Sequence, residues 1–575
     1  MSRFINTDIF REYDIRGIAE RDLTSPVVKA LGRAFAEYIR PKGISSLAVG
    51  HDARLSSPRL RDALIQGLMA SGMAVTDLGL CPTPVLYFSL HHLHVDAGVM
   101  ITGSHNPSEF NGFKLCVGKD TIYGEEIQKI RQIMEETADS SSVIAHKETG
   151  KKAHSSFLIA HERKKGEPTA MDHEPSATSH QPRATNHAIL PDYINYLESR
   201  FQDHRDIPLK VVLDSGNGTA GLAAPEIIRY MGCEVTELFS ETDGTFPNHH
   251  PDPTIPENLR VLIDTVRAQK ADAGIAFDGD ADRIGVVDEK GNILWGDQLM
   301  VIFARDILSR KPGATFVSEV KCSQTMYDDI RAHGGNAIMW KTGHSLIKAK
   351  MKEIGAALAG EMSGHLFFAD RYFGYDDAIY AACRLVDILK KMRVAGKAAH
   401  SSSLVAHEET GKTAHSSLLV AQEEAGKEAD SSWLIAHEET GKEAHGSSLI
   451  AQKTQNHQLS AKSQTLSSLI ADLPKVYNTP EIRVDCPDAI KFKVVEKVKT
   501  VFTDGYGLPL KPKEVITVDG VRAVFANGWG LIRASNTQPV LVMRFEANAP
   551  ASLEAIKTMM EEKVTMIISH LTDQR

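Results

Sequence analysis

Residues 273–288 read AGIAFDGDADRIGVVD, two apolar runs held apart by an acidic turn. Runs that short, bounded by turn residues, are read as buried strands and not helices. The same grammar recurs on either side. KVVLD (210–214) leads through a glycine loop into the helical pattern APEIIRYMG and on to EVTEL, with GDQLMVIFARDIL and TFVSEV (315–320) downstream. Upstream, SLAVG (46–50) and DAGVMIT (96–102) flank PRLRDALIQGLMASG, and VLVMRFEA (540–547) precedes ASLEAIKTMMEEKVTMIISHL. Strands alternating with helices at this spacing predict α/β domains with parallel or mixed sheets. At 575 residues the chain is too long for one core, so roughly three to five domains are expected.

The acidic turn places Asp278, Asp280 and Asp282 at alternate positions. Clustered carboxylate oxygens suit a hard dication such as Mg²⁺. The spacing mimics an EF-hand loop, with Glu289 at its last position, but Arg283 stands where that loop requires glycine and the flanks are strands instead of helices. A net charge of −9 excludes the basic excess of a general nucleic-acid binder, while local Arg and Lys can still capture anionic substrates. Six dispersed cysteines without a CxxC pair are expected to be free thiols in a reducing compartment, not zinc ligands. The start, MSRFINTDIFREYDIRG, lacks the apolar run of a signal peptide, and no stretch approaches a membrane span. A cytoplasmic location with no membrane partner is the expectation.

Two tracts break the pattern. Gly396, Gly411, Gly426 and Gly441, each followed by Lys, mark a 15-residue unit, and a related unit occurs upstream in ADSSSVIAHKETGKKAHSSFLIAHERK (138–164). Each unit carries too few apolar residues to bury a continuous solenoid core, so an exposed low-complexity insertion is expected. Each Ser-Ser pair could N-cap a short helix ending at the next Gly. The tracts hold 12 of the 24 histidines, but without carboxylate or Cys partners in a fixed geometry these do not make a metal array.

Four further motifs carry chemistry. TGSHNP (102–107) follows directly on DAGVMI and presents the Ser104 hydroxyl at a strand's carboxyl end, where α/β proteins hold ligands. No G-x-S-x-G elbow accompanies it, which argues against a hydrolase. GNGTAG (216–221) matches a dinucleotide fingerprint, with Glu234 or Glu237 as its acidic partner; Asp214-Ser215 intrudes before the first Gly, and packing is the stronger explanation. A nicotinamide-dependent oxidoreductase is therefore the distant alternative. GEMSGH (360–365) offers a carboxylate, a hydroxyl and an imidazole, a set that suits sugar hydroxyls and proton relay. RASNTQP (533–539), followed by Arg544, concentrates forked and neutral donors for phosphate.

Taken in order, TGSHNP, DGDADR, GEMSGH and RASNTQPVLVMRFEA resemble the motifs of the α-D-phosphohexomutase family, and FREYDIRG (10–17) with KTGHS (341–345) resembles its bacterial phosphomannomutase/phosphoglucomutase branch. The likeness spans about four-fifths of the chain, everything outside the tracts. It implies three related α/β domains with mixed sheets and a smaller α+β C-terminal domain around a central cleft, interrupted by two repeat insertions. The implied boundaries are a phosphoserine domain (1–137), a first tract (138–188), a metal domain (189–292), a sugar domain (293–394), a second tract (395–464) and a phosphate-binding domain (475–575). By the resemblance, Ser104 is the phosphoserine and a metal ligand, and Asp278, Asp280 and Asp282 complete the Mg²⁺ set. Glu361 and Ser363 are implied sugar contacts, and Arg533, Ser535, Asn536 and Thr537 the clamp on the non-reacting phosphate. Tyr13, Arg283, Lys321 and His344 would line the cleft, with His365, Arg16 and Lys114 as candidates for proton transfer. The implied activity interconverts mannose or glucose 1-phosphate and 6-phosphate through a hexose 1,6-bisphosphate, which also serves as activator, in an expected monomer. Met362 and FREYDIRG favour this branch over the closely related alternative, phosphoglucosamine mutase.

Overall fold

In the computed structural model, residues 5–149, 184–396, 465–536 and 538–573 are described. Most of both tracts, and Thr537, lie outside them.

One topology is used three times. In the first unit Ser46–His51 is flanked by Ala74–Leu80 and Ala97–Ile101, both parallel to it, and Phe110–Val117 then folds back antiparallel on Ala97–Ile101. Leu209–Asp214, Cys233–Leu238, Ala273–Phe277 and Ile284–Asp288 repeat this arrangement. So do Thr315–Glu319, Asn336–Trp340, Leu358–Gly360 and Leu366–Phe368. These four strands lie in the order 2-1-3-4 in each sheet, with the fourth reversed, and the first and second sheets add further strands at their edges. Parallel neighbours need crossover helices. These are Ser57–Ala70 and Thr83–His92 in the first unit, Ala224–Tyr230 and Arg260–Gln269 in the second, and Gln324–Ala332 and His344–Ile354 in the third. The last step of every unit is a hairpin. Ala97–Ile101, Ala273–Phe277 and Ile284–Asp288 are buried at every position, which is why their sequences are continuous apolar runs with no alternation.

The first three units share one core, to which the helix over residues 378–396 contributes Ala378, Ile379, Ala382, Leu385, Val386 and Leu389. The fourth unit is an antiparallel sheet in which Val540–Ala547 pairs with Gly528–Ala534 on one side and with Ile482–Asp485 and Tyr477–Asn478 on the other. The helices Asp488–Asp504 and Pro550–Asp573 pack on this sheet around a separate core. It meets the third unit through Val320, Trp529 and Leu531, where the Arg522 guanidinium stacks 3.6 Å above the Trp529 ring and donates to the Val320 (2.5 Å) and Cys322 (2.7 Å) carbonyls.

All six cysteines are free and buried. No helix among the described residues is long and apolar enough to cross a membrane. The expectation about Ser-Ser capping fails where it can be checked. The helix Glu125–Thr149 runs through Ser140–Ser142 instead of starting there, and Gly150 lies outside the described residues. Helix already under way carries on more readily than a new nucleus forms.

Candidate active site

The repeated hairpin delivers the motifs. TGSHNP joins Ala97–Ile101 to Phe110–Val117, DGDADR joins Ala273–Phe277 to Ile284–Asp288, and the EMSGH turn joins Leu358–Gly360 to Leu366–Phe368. In the fourth unit the loop after Ala534 joins Gly528–Ala534 to Val540–Ala547. Each motif therefore sits at the tip of two strands fixed by a sheet.

Ser104 is 2% exposed and adopts φ +49°, a left-handed conformation that a non-glycine residue takes only when its surroundings impose it. Thr102 Oγ1 accepts from the Ser104 amide at 2.8 Å, and the Ser104 hydroxyl donates to Asp278 Oδ2 at 2.8 Å, with His105 Nδ1 at 3.1 Å. Burial, then Arg283 and Arg16, hold His105 well below the usual imidazole range, so it faces Ser104 uncharged. The loop is tied down by Arg54, which sequence reading missed. Its guanidinium donates to the carbonyls of Ser104 (2.8 Å), Asn106 (2.5 Å), Pro107 (2.5 Å) and Phe110 (2.9 Å) and to Asp52 Oδ2 (3.1 Å). The other clue missed was Asp52, whose Oδ2 also accepts from the Gly103 amide at 3.0 Å. Both follow the strand Ser46–His51 at the sheet edge where TGSHNP lies, and charged residues directly after an apolar strand were the available signal.

Asp278, Asp280 and Asp282 are fully buried, with one oxygen from each within 4.8 Å of the others. Asp280 Oδ1 and Asp282 Oδ1 have no hydrogen-bond partner among the described residues. Three buried carboxylates with bare oxygens fit an oxygen-seeking dication. Burial, followed by the charges of Asp282 and Asp280, pushes Asp278 well above the usual carboxylate range. Burial acts the same way on Asp280, but Lys114 and the Thr83 hydroxyl outweigh it and hold this carboxyl low. The Lys114 ammonium donates to Asp280 (2.8 Å) and to Asp282, and despite burial these carboxylates raise its pKa. The structure thus groups Lys114 with the carboxylates and not with the open cleft.

Above this layer lies a cleft of about 890 Å³ lined by residues of all four units. Tyr13, Arg16, Arg283, Lys321, His344, Glu361, Ser363, His365, Arg533, Ser535 and Asn536 all face it, whereas Ser104, Lys114 and the three Asp residues lie beneath. Arg16 donates to Asn106 Oδ1 (3.0 Å) and Asp14 Oδ2 (2.5 Å). Arg283 Nε donates to His365 Nε2 at 2.9 Å, leaving His365 Nδ1 facing Asp376 Oδ2 at 3.2 Å. Asp376, also missed in sequence, is fully buried, accepts from Lys348 Nζ at 3.0 Å and lies 3.7 Å from His344 Nδ1. Glu361 accepts from the Gly343 amide (2.7 Å) and the Ser363 hydroxyl (3.3 Å). Lys321 pairs with Glu481 at 3.3 Å across the seam to the fourth unit. Arg544 lines the cleft but gives its guanidinium to the Lys321 carbonyl.

GNGTAG packs against neighbouring backbone. A side chain at Gly218 would meet the Gly279 carbonyl at 2.7 Å, one at Gly221 would meet the Ser240 carbonyl at 2.1 Å, and the loop enters the 3-10 turn Thr219–Leu222. Its glycines bring it against the acidic loop, which removes the oxidoreductase alternative.

Sequence models of phosphoglucomutase/phosphomannomutase match all four units: alpha/beta/alpha domain I over residues 7–141, domain II over 191–291, domain III over 295–408 and the C-terminal domain over 481–563. The phosphomannomutase/phosphoglucomutase of Pseudomonas aeruginosa is 38% identical over 563 residues, covering 98% of this chain and 96% of the relative. The phosphoglucomutase of Neisseria gonorrhoeae is 36% identical, covering 96% of each. A crystal structure of a phosphoglucomutase/phosphomannomutase family protein from Burkholderia thailandensis, 32% identical, superposes with a TM-score of 0.73 over 98% of both chains. With four matched domains in order and a cleft built from their four hairpins, the chain belongs to the phosphoglucomutase/phosphomannomutase family.

Proposed function

We propose that this protein interconverts the 1-phosphate and 6-phosphate of glucose and mannose, with Ser104 carrying the phosphoryl group. The observation that supports it most directly is the Ser104 hydroxyl, 2.8 Å from one of three buried carboxylates, beneath a cleft whose far loop carries the separate anion-binding set of Arg533, Ser535 and Asn536. Only a reaction that handles two phosphates needs both. Division of the chain at 1–137, 189–292, 293–394 and 475–575 gives these units the phosphoserine, metal, sugar and clamp roles.

In the working cycle Ser104 begins phosphorylated. A substrate monophosphate is held by Arg533, Ser535, Asn536 and Thr537 while Glu361 and Ser363 grip its sugar hydroxyls. The free hydroxyl attacks phosphorus, one P–O bond forms, the bond to Ser104 Oγ breaks, and the hydroxyl proton leaves to a base. Arg283, drawn to the transferring phosphate, releases His365 Nε2 to take that proton, with Asp376 steadying the opposite ring nitrogen. Arg16 and Lys114 balance charge around the step. Asp278, Asp280, Asp282 and Ser104 would hold a dication, for which we propose Mg²⁺, and when bound it would supply neutralisation of charge on the transferring group. The bisphosphate turns over in the cleft, and the second phosphate returns to Ser104 by the same chemistry reversed. The same bisphosphate recharges Ser104 when it is lost, which makes it the activator. The proposed working form is a cytoplasmic monomer, since one chain supplies every group used.

Incubation with glucose 1,6-bisphosphate followed by peptide mapping should place phosphate on Ser104, and Ser104→Ala should abolish turnover of both glucose 1-phosphate and mannose 1-phosphate. An active Ser104→Ala enzyme would sink the proposal.

A further inference from the structure

Arg533 is 6% exposed and lines the cleft, but its Nε is already engaged, donating to Asp519 Oδ2 at 2.9 Å. Its two terminal amino groups carry no hydrogen bond among the described residues. The same Asp519 oxygen accepts from the backbone amide of Thr342, in the third unit, at 3.0 Å. Thr342 is in turn held by Tyr13 of the first unit, whose hydroxyl donates to the Thr342 carbonyl at 2.8 Å and accepts from Asn536 Nδ2 at 2.8 Å. Arg533, Asp519, Thr342, Tyr13 and Asn536 therefore link three units around the clamp. Asp519 does not itself line the cleft. It occupies a turn that Gly520 keeps tight against Arg533: φ at Gly520 is +83°, and a side chain there would meet the Ile532 carbonyl at 2.3 Å and Arg533 Cβ at 2.6 Å.

An arginine held at Nε presents its two terminal N–H groups as a planar fork, the geometry that grips phosphate bidentately. From this arrangement we propose that Asp519 is a positioning residue: it aims the Arg533 fork into the cleft and, through the Thr342 amide, ties phosphate capture to the seating of the fourth unit on the third. This rests on Arg533 acting as the phosphate clamp, and the experiment separates the two ideas.

KM and kcat for glucose 1-phosphate are compared in wild type, D519A, R533A and the double variant, with melting temperatures recorded. D519A should raise KM about tenfold, the scale of one charged hydrogen bond, with kcat within about threefold. The double variant should be no worse than R533A alone, because Asp519 acts through Arg533. Hydrogen exchange at residues 341–345 should slow on adding glucose 1-phosphate in wild type but not in D519A. If the D519A penalty persists undiminished in the R533A background, or if slowing persists in D519A, Asp519 is only a structural residue and the proposal fails. If R533A leaves KM unchanged, the clamp assignment fails first and takes this proposal with it. Should D519A not fold, D519N decides: a raised KM with a near-native melting temperature supports the role, and an unchanged KM overturns it.

Discussion

The Arg54 guanidinium sits between five acceptors and is 1% exposed, although it does not line the cleft. Removing one member of a buried, fully hydrogen-bonded charge set costs about 3–5 kcal/mol, because the partners stay buried and unpaired. Arg54→Ala should therefore lower stability by that amount in denaturant titration. Where the fold survives, turnover should fall about 100-fold through misplacement of Ser104, the scale of an ångström's error in alignment. Asp280→Asn should behave differently. It leaves the Ser104 loop intact but weakens the charge-neutralising set, and is expected to cost about 2–4 kcal/mol in kcat/KM, mostly in kcat, read by steady-state kinetics with varied Mg²⁺. The grouping of the three Asp residues was legible in sequence from carboxylates at alternate positions after an apolar run, and Ser104 stood out only once TGSHNP was read beside that acidic motif. Arg54, Asp376 and Asp519 were not legible: each serves another side chain or a loop carbonyl, and only the fold brings these together.

At the scale of elements, three loops are stacked backbone to backbone. Gly218 abuts Gly279, and Gly279 abuts the Ser104 carbonyl, each with room for hydrogen but not for a methyl group: an added Cβ would lie 2.7 Å from the neighbouring oxygen in both cases. Gly218→Ala should thus press the acidic loop from behind, out of its register with Ser104. Overpacking of this kind costs roughly 1–3 kcal/mol, and the expected result is weaker Mg²⁺ activation with substrate KM little changed, measured by titrating the metal. The glycine pattern was visible in sequence and left a nucleotide as the lesser alternative to packing, because phosphate cradles and tight loop packing ask for the same residue. The strands themselves were read almost to their ends: VLVMRFEA coincides with Val540–Ala547, and TFVSEV overshoots Thr315–Glu319 by one residue. Apolar runs buried on both faces leave little doubt about strand, whereas the equivalence of the three hairpins lies in pairing order, which no local pattern encodes.

Across the whole molecule, Asp377 links the second and third units by accepting from the Tyr193 hydroxyl at 3.0 Å, the Tyr372 hydroxyl at 2.7 Å and the Tyr380 amide at 2.8 Å. Burial outweighs these donors and lifts its pKa from 3.8 to about 6. The folded state therefore favours the protonated acid, and the penalty for ionising it is absent below pH 3.8, grows as pH rises, and is complete above about 6. On going from pH 4 to pH 7, the stability of Asp377→Asn relative to wild type should move in the variant's favour by about 2 kcal/mol, followed by urea melts at both pH values. The second repeat tract is expected to be dispensable, since loop-closure entropy changes only logarithmically with length. Replacing residues 395–464 with a short Gly-Ser linker should leave the melting temperature and the mutase rate nearly unchanged; a severalfold change in turnover or in released bisphosphate would show that the tract restrains the fourth unit. Finally, the 2.8 Å contact between Tyr13 and Asn536 joins residues 523 positions apart. The ring of units closes only when the last loop has left the ribosome, roughly half a minute to two minutes after the first strand at ordinary elongation rates. Until then the nascent chain holds the serine and later the acidic pocket, but the cleft lacks the wall formed by Arg533, Ser535 and Asn536.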